Sequence, residues 1–314
     1  MAPLNHFFLL LCLPSLVLSH DQSRALPRYP HFWRRASSKN VPSEGYHNPL
    51  DSGGSFFTKV DGTFPPGQVE PVNMIISAHS DAAVLEDRED KGGLRNYWLS
   101  LDFGGECLGQ HSGSDQQVNL GDGNGYKNQT EVMRYNYKDP QLGTCKESIQ
   151  GGNHFRYWVQ DGSQANTGAI FMAVSYEKPI ADNHDIVSNG YNLARDYIIG
   201  NITGSVIPTL NLTNQSTYTG TTRSGGYAYE SHVQYLSGLL PNTSDNINHN
   251  WSVMTPESNA CDGLVALIEV RITERPPNGA AGTSARFINP PSRTWQIPPV
   301  LVLCTAFILS LACL

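Results

Sequence analysis

The clearest pattern of apolar and polar positions along the chain has a period of two. In Asn153-His154-Phe155-Arg156-Tyr157-Trp158-Val159-Gln160, the residues Phe155, Tyr157 and Val159 fall on one side. His154, Arg156, Trp158 and Gln160 fall on the other, which predicts a strand. Asp161-Gly162 opens a turn-rich link, and Gly168 to Glu177 returns as a second apolar strand, so the two predict a hairpin. Tyr227 to Leu239 and Leu264 to Ile272 supply two more strands, and Val72 to Ile76 a short buried one. Helical spacing predicts three segments. Asp81 caps the first, with Ala82, Val84 and Leu85 inward; Gly93 to Phe103 carries Leu94, Tyr97, Trp98 and Leu101; Asn192 to Ile199 carries Leu193, Tyr197 and Ile198. Gly104 to Asn128 is expected to be a glycine-dense loop. Strands and helices do not alternate strictly, so the expected fold class is α+β: a single domain over residues 67–275 with a mixed or mainly antiparallel sheet and packed helices.

The two ends carry a different signal. Phe7 to Leu18 is a short apolar run followed by small residues, as in a secretory signal cleaved near Ser19-His20, giving a signal peptide over 1–19. Residues 20–66 are expected to be a pro-segment, cut after Arg34-Arg35, or an extended lead-in. At the other end, 297–314 is uncharged and almost wholly apolar, yet barely as long as a bilayer span and without a basic flank. The preceding linker, 276–296, holds small residues and then a polar spacer. That is the pattern of a glycosylphosphatidylinositol (GPI) anchor, with Gly282 or Asn278 as attachment residue and a transmembrane tail as the alternative. Either way the expected partner is a membrane, at the extracellular face of the plasma membrane or the cell wall.

Cysteine usage fits that compartment. Cys12, Cys304 and Cys313 sit in the terminal segments, leaving Cys107, Cys145 and Cys261, an odd number. Cys107 and Cys145 both lie in glycine-rich sequence and are paired here, with Cys261 as a competing partner for either. Six glycosylation sequons start at Asn128, Asn201, Asn211, Asn214, Asn242 and Asn250, the last five crowded together, which suggests a glycosylated, exposed face.

Lys+Arg at 21 against Asp+Glu at 28, with no basic run, excludes nucleic acid as an expected partner. Several constellations carry chemistry. His154, Arg156 and Trp158 on one strand face offer a guanidinium fork for an anion and a flat ring for a sugar, unless the face is simply covered by a second core layer. Asp182, His184 and Asp185 have ligand-type side chains at no recognised metal spacing, so a capping loop is expected there. Arg195 and Asp196 suggest an ion pair on the helix surface or a hold on the His184 loop. His79-Ser80-Asp81 cannot form a hydrolase triad from adjacent residues, and Gly121-Asp122-Gly123-Asn124-Gly125 lacks the later Glu of a calcium loop. No cofactor motif is present, and no metal site is expected.

The segments Asn153 to Trp158, His184-Asp185-Ile186 and Ala194-Arg195-Asp196-Tyr197 resemble, in order and spacing, the LssY C-terminal-like domain. That domain occurs alone or behind membrane-bound phosphatases of the type-2 phosphatidic acid phosphatase kind. Val72 to Asn201 is also similar to a family of uncharacterised secreted fungal proteins. The resemblance implies a fold neighbourhood and a site, and no activity. The resulting expectation is a secreted, GPI-anchored surface glycoprotein with a binding or structural role toward an anionic or carbohydrate ligand. The alternative is a hydrolase of a phosphate- or sugar-containing substrate acting through His154, Arg156, His184 and Arg195. A cluster of two arginines and two histidines should bind anions better below about pH 6.5, where histidine charges.

Overall fold

The computed structural model of the protein describes residues 41–277 apart from Ser112. The signal segment, Arg34-Arg35, the linker from Asn278 onward with Gly282, the apolar tail, and Cys12, Cys304 and Cys313 lie outside the described residues. In chain order the strands are β1 (Phe57–Lys59), β2 (Val69–Pro71), β3 (Met74–Ile76), β4 (Phe103–Gly104), β5 (Gln117–Asn119) and β6 (Tyr126–Asn128). They continue with β7 (Glu131–Tyr135), β8 (Gly152–Asp161), β9 (Asn166–Glu177), β10 (Thr217–Ser224), β11 (Tyr227–Thr243) and β12 (Cys261–Glu274). The helices are α1 (Leu94–Leu99), α2 (Gly143–Gln150), α3 (Gly190–Thr203) and α4 (Asn250–Val253).

Eight strands form one sheet in the order β10-β11-β12-β3-β9-β8-β7-β4, and β2-β1-β5-β6 form a smaller one. All neighbours in the large sheet are antiparallel except β12 and β3. The period of two places a core on each face of the large sheet. On one side Phe155, Tyr157, Met172 and Val174 pack against α1 and α3, with Trp98 lodged edge-on against Phe155 and Tyr157 at ring separations of 5.1 and 4.6 Å. On the other side Trp158, Phe171 and Ala173 pack against Phe56 and Val118 beside the small sheet. Burying each such side chain contributes about 1.5–3 kcal/mol.

The predicted hairpin is β8–β9, paired with Phe155 opposite Val174 and Tyr157 opposite Met172. β11, β12 and α3 contain the segments read as strands and helix, each extended by a few residues. The balance of elements differs from the α+β expectation: the domain is mainly β, with few helices. Asp81 does not start a helix, because its carboxylate accepts the Ile272 amide and its own amide bonds Val270 O, which spends the cap on β12. Residues 82–87 form turns with Val84 buried. The glycine-dense stretch holds β4, β5 and β6. The lead-in belongs to the folded body at least from residue 46, since Tyr46 and Phe56 are core residues. Its glycines permit the approach: a Cβ on Gly54 would stand 2.5 Å from the Gly121 nitrogen.

Candidate functional site

Strand register lines up Arg134, His154 and Ser175 across β7, β8 and β9, on the sheet face that also carries Arg156 and Glu177. α2 brings Glu147 onto this row. Its first residue, Gly143, sits so close to β7 that a Cβ would stand 1.5 Å from Asn136 O, so only glycine fits there. At the far end Gly151 adopts φ +76° and turns the chain directly into β8 beside Glu177. A disulfide joins Cys107 to Cys145 and ties α2 to the segment carrying Glu106, while Cys261 is a buried free thiol.

The result is a seam of charge between sheet and helix. Arg134 Nη1 donates to Glu147 Oε2 at 2.8 Å, and Arg134 Nη2 lies 3.6 Å from Glu106 Oε1. His154 is 1% exposed and Glu147 0%. His154 Nε2 meets Ser175 Oγ at 3.2 Å, Arg156 Nη1 at 3.4 Å and Glu177 Oε1 at 3.6 Å. Its Nδ1 faces Glu147 Oε1 across 3.8 Å, and neither atom has a hydrogen-bond partner. Glu177 Oε2 lies 3.2 Å from His184 Nδ1, off the hydrogen-bonding direction. His184 reaches this position from a loop in which Asn183 and His184 both hold positive φ.

Burial sets the electrostatics. It raises the Glu147 carboxyl to about 7, against the pull of Arg134, and raises Glu177 in the same way. Burial, with Arg134, Arg156 and His184 adding repulsion, holds His154 well below the ordinary histidine range. His154 is therefore neutral near pH 6, and the expected strengthening of anion binding by its protonation has no basis in this site. Chemically, the seam offers two carboxylates and one neutral imidazole pointing at one another, with an arginine at the rim.

His154, Arg156 and His184 thus converge around Glu177, and the other residues singled out from sequence lie elsewhere. Arg195 is fully buried on α3, where it forms paired bonds to Asp196 and Asp262 and donates to Leu264 O at 2.8 Å. It faces the start of β12, not the β8–β9 mouth. Trp158 is buried in the second core, its indole donating to Lys127 O at 3.1 Å. Asp185 binds Lys178 and Ser252 at 2.8 Å and His249 at 2.7 Å, which ties its loop to α4. Asp182 ends a short 3-10 turn. Ser80 Oγ accepts the Val270 amide and His79 meets Ser43 O, so that triplet holds backbone. Asp122, also buried, takes the amides of Asn124, Asp161 and Gly162 and clips a turn.

Glu106, Arg134, Glu147 and Glu177 were not legible as site residues, although the strand parity of Glu177 with Ser175 was available. Two shallow surface grooves flank the loop at residues 60–68, one with Tyr126 and the other with His249 and Trp251. No residue of the seam lines either. No protein-family model, curated protein or solved structure matches this chain.

Proposed function

We propose that this chain is a secreted surface glycoprotein held by a GPI anchor, and that its β domain is a binding module for a small anionic ligand received at Arg156. The observation that carries the ligand reading is the state of that arginine. Among the described residues it is the one partly buried arginine with no carboxylate within 4.0 Å; Arg88, Arg95, Arg134 and Arg195 all have one. A half-buried guanidinium without a counterion has lost hydration that a phosphate or carboxylate would restore through its planar fork. The compartment reading is supported by the disulfide and by the exposure of Asn128, Asn201, Asn211, Asn214 and Asn242, with Asn250 half-buried. The likeness of the β8 and α3 segments to the LssY C-terminal-like domain is consistent with a module that serves binding.

Isothermal titration of the secreted protein with inorganic phosphate and with a uronic acid tests the ligand class. Binding that Arg156→Gln weakens at least tenfold is expected; equal binding by the variant would remove the proposal. For the anchor, phosphatidylinositol-specific phospholipase C should release the protein from membranes of a GPI-competent host. Recovery of residues 297–314 in peptide maps of the mature protein would overturn that part.

A further inference from the structure

We propose that Glu147, His154 and Glu177 form a binding site for a divalent transition-metal ion, zinc by its donor set, on the buried side of the seam. One donor atom from each of the three residues lies within 4.8 Å of the other two, as ligands around one ion must. Two of the three residues also carry a donor atom with no other role. Glu147 Oε1 and His154 Nδ1 face each other at 3.8 Å, unpartnered, on side chains 0% and 1% exposed. Buried lone pairs left in that state are unusual, and a cation between them satisfies both at once.

Two of the atoms that would not touch the ion are already held: Ser175 Oγ meets the other ring nitrogen of His154, and Arg134 donates to Glu147 Oε2. Outer partners of this kind fix the orientation of metal ligands. Glu177, with 17% of its side chain exposed, is the member of the three that reaches solvent. One imidazole with two carboxylates suits zinc or a neighbouring first-row ion better than calcium, which takes oxygen ligands alone. The site goes beyond the anion reading, since it concerns a cation and different atoms.

The test is zinc titration of the secreted, disulfide-intact chain, with metal content measured after gel filtration. One zinc per chain is expected. Glu177→Gln, the isosteric change at the partly exposed member of the three, should weaken binding at least tenfold. If Glu147→Gln or His154→Gln does not fold, Glu177→Gln still carries the result. Exposed His111 lies near Glu106 and Asp115 and could collect zinc on the surface, so His111→Gln is the control and should bind as the parent does. Absence of stoichiometric zinc in the parent, unchanged affinity in Glu177→Gln, or loss of zinc in His111→Gln would each overturn the proposal.

Discussion

Two buried polar centres in this domain, each setting arginine against carboxylates, are finished to different degrees. Around Arg195 every group is spoken for: Nε and Nη2 bind Asp196, Nη1 and Nη2 bind Asp262, and Tyr235 Oη donates to Asp196 Oδ1 at 2.6 Å. Around His154 the accounts stay open, with unpartnered atoms on Glu106, Arg134, Glu147, His154, Arg156 and His184. A closed network of buried charge is an architectural clamp, whereas the open one is the ground on which the ligand and metal proposals rest. The contrast separates Arg195, which sequence reasoning placed with the site, from the residues that form it.

The largest effect should come from breaking the closed centre. Arg195→Met leaves the buried Asp196 and the half-buried Asp262 without their shared cation, at a cost of about 3–5 kcal/mol in urea unfolding. A loss below about 1 kcal/mol would mean that the centre is not the clamp its geometry describes. Next is the disulfide, which braces the open seam: it closes a loop of sequence separation 38 between Glu106 and α2. Cys107→Ser with Cys145→Ser should cost about 4 kcal/mol in the chain-entropy model. The same double variant should reduce ligand and zinc binding, whereas variants at Arg195 that still fold should leave both intact.

How much of this was visible in the sequence follows from what hydrophobic periodicity can report. The β8–β9 hairpin alternates cleanly because each face packs on a core, so Phe155 and Tyr157 announce the strand and its parity assigns His154 and Arg156 to one side. α3 shows itself through the spacing of Leu193, Tyr197 and Ile198, but the face it buries is a different one: Ala194, Arg195, Asp196, Ile198 and Ile199 are buried and Tyr197 is exposed. α2 does not show itself, because its buried residues are Gly143 and Glu147, and a helix whose inner face is a glycine and a carboxylate has no apolar stripe to detect. The site's principal carboxylate rides on that helix. Arg195 was misplaced for a related reason: chain proximity of the His184 loop to α3 says nothing about which face of the helix the guanidinium leaves from. Its pairing with Asp196 is the one the sequence suggested, but the pair is buried, and its second partner, Asp262, is 67 positions away. Short strands β1, β4, β5 and β6 are two or three residues long, too brief for any period to register.

Alkaline pH probes the closed centre from its neighbour. Cys261 precedes Asp262, and burial first, with the Asp262 charge adding, pushes its thiol from 9.0 to about 11. A folded-state value above the unfolded one means that the neutral thiol's contribution is fully present below pH 9 and is lost as pH rises through about 11. The shift corresponds to about 3 kcal/mol at most. Buried tyrosines, whose hydroxyls burial raises above 10.0, add their own dependence once pH passes that value, so the informative quantity is the difference between the parent and Cys261→Ala. That difference should shift against the parent between pH 8 and 11, and a flat difference would show the thiol already ionised or solvated.

The finest test removes one hydroxyl from each centre. Tyr235→Phe keeps the ring beneath the Arg195 guanidinium, 5.0 Å from the ring centre, and deletes only the bond to Asp196. A hydrogen bond to a buried carboxylate contributes about 1.5–3 kcal/mol, so the variant should lose that much. Ser175→Ala deletes the hydroxyl at His154 Nε2, where Arg156 and Glu177 remain within 3.4 and 3.6 Å to take its place. A neutral bond with substitutes nearby is worth about 1 kcal/mol or less. In paired urea titrations the tyrosine variant should therefore be the less stable of the two. The reverse order would mean that the seam around His154 is the rigid centre and that the atoms without partners are part of a finished structure, which would remove the physical ground for placing a ligand there.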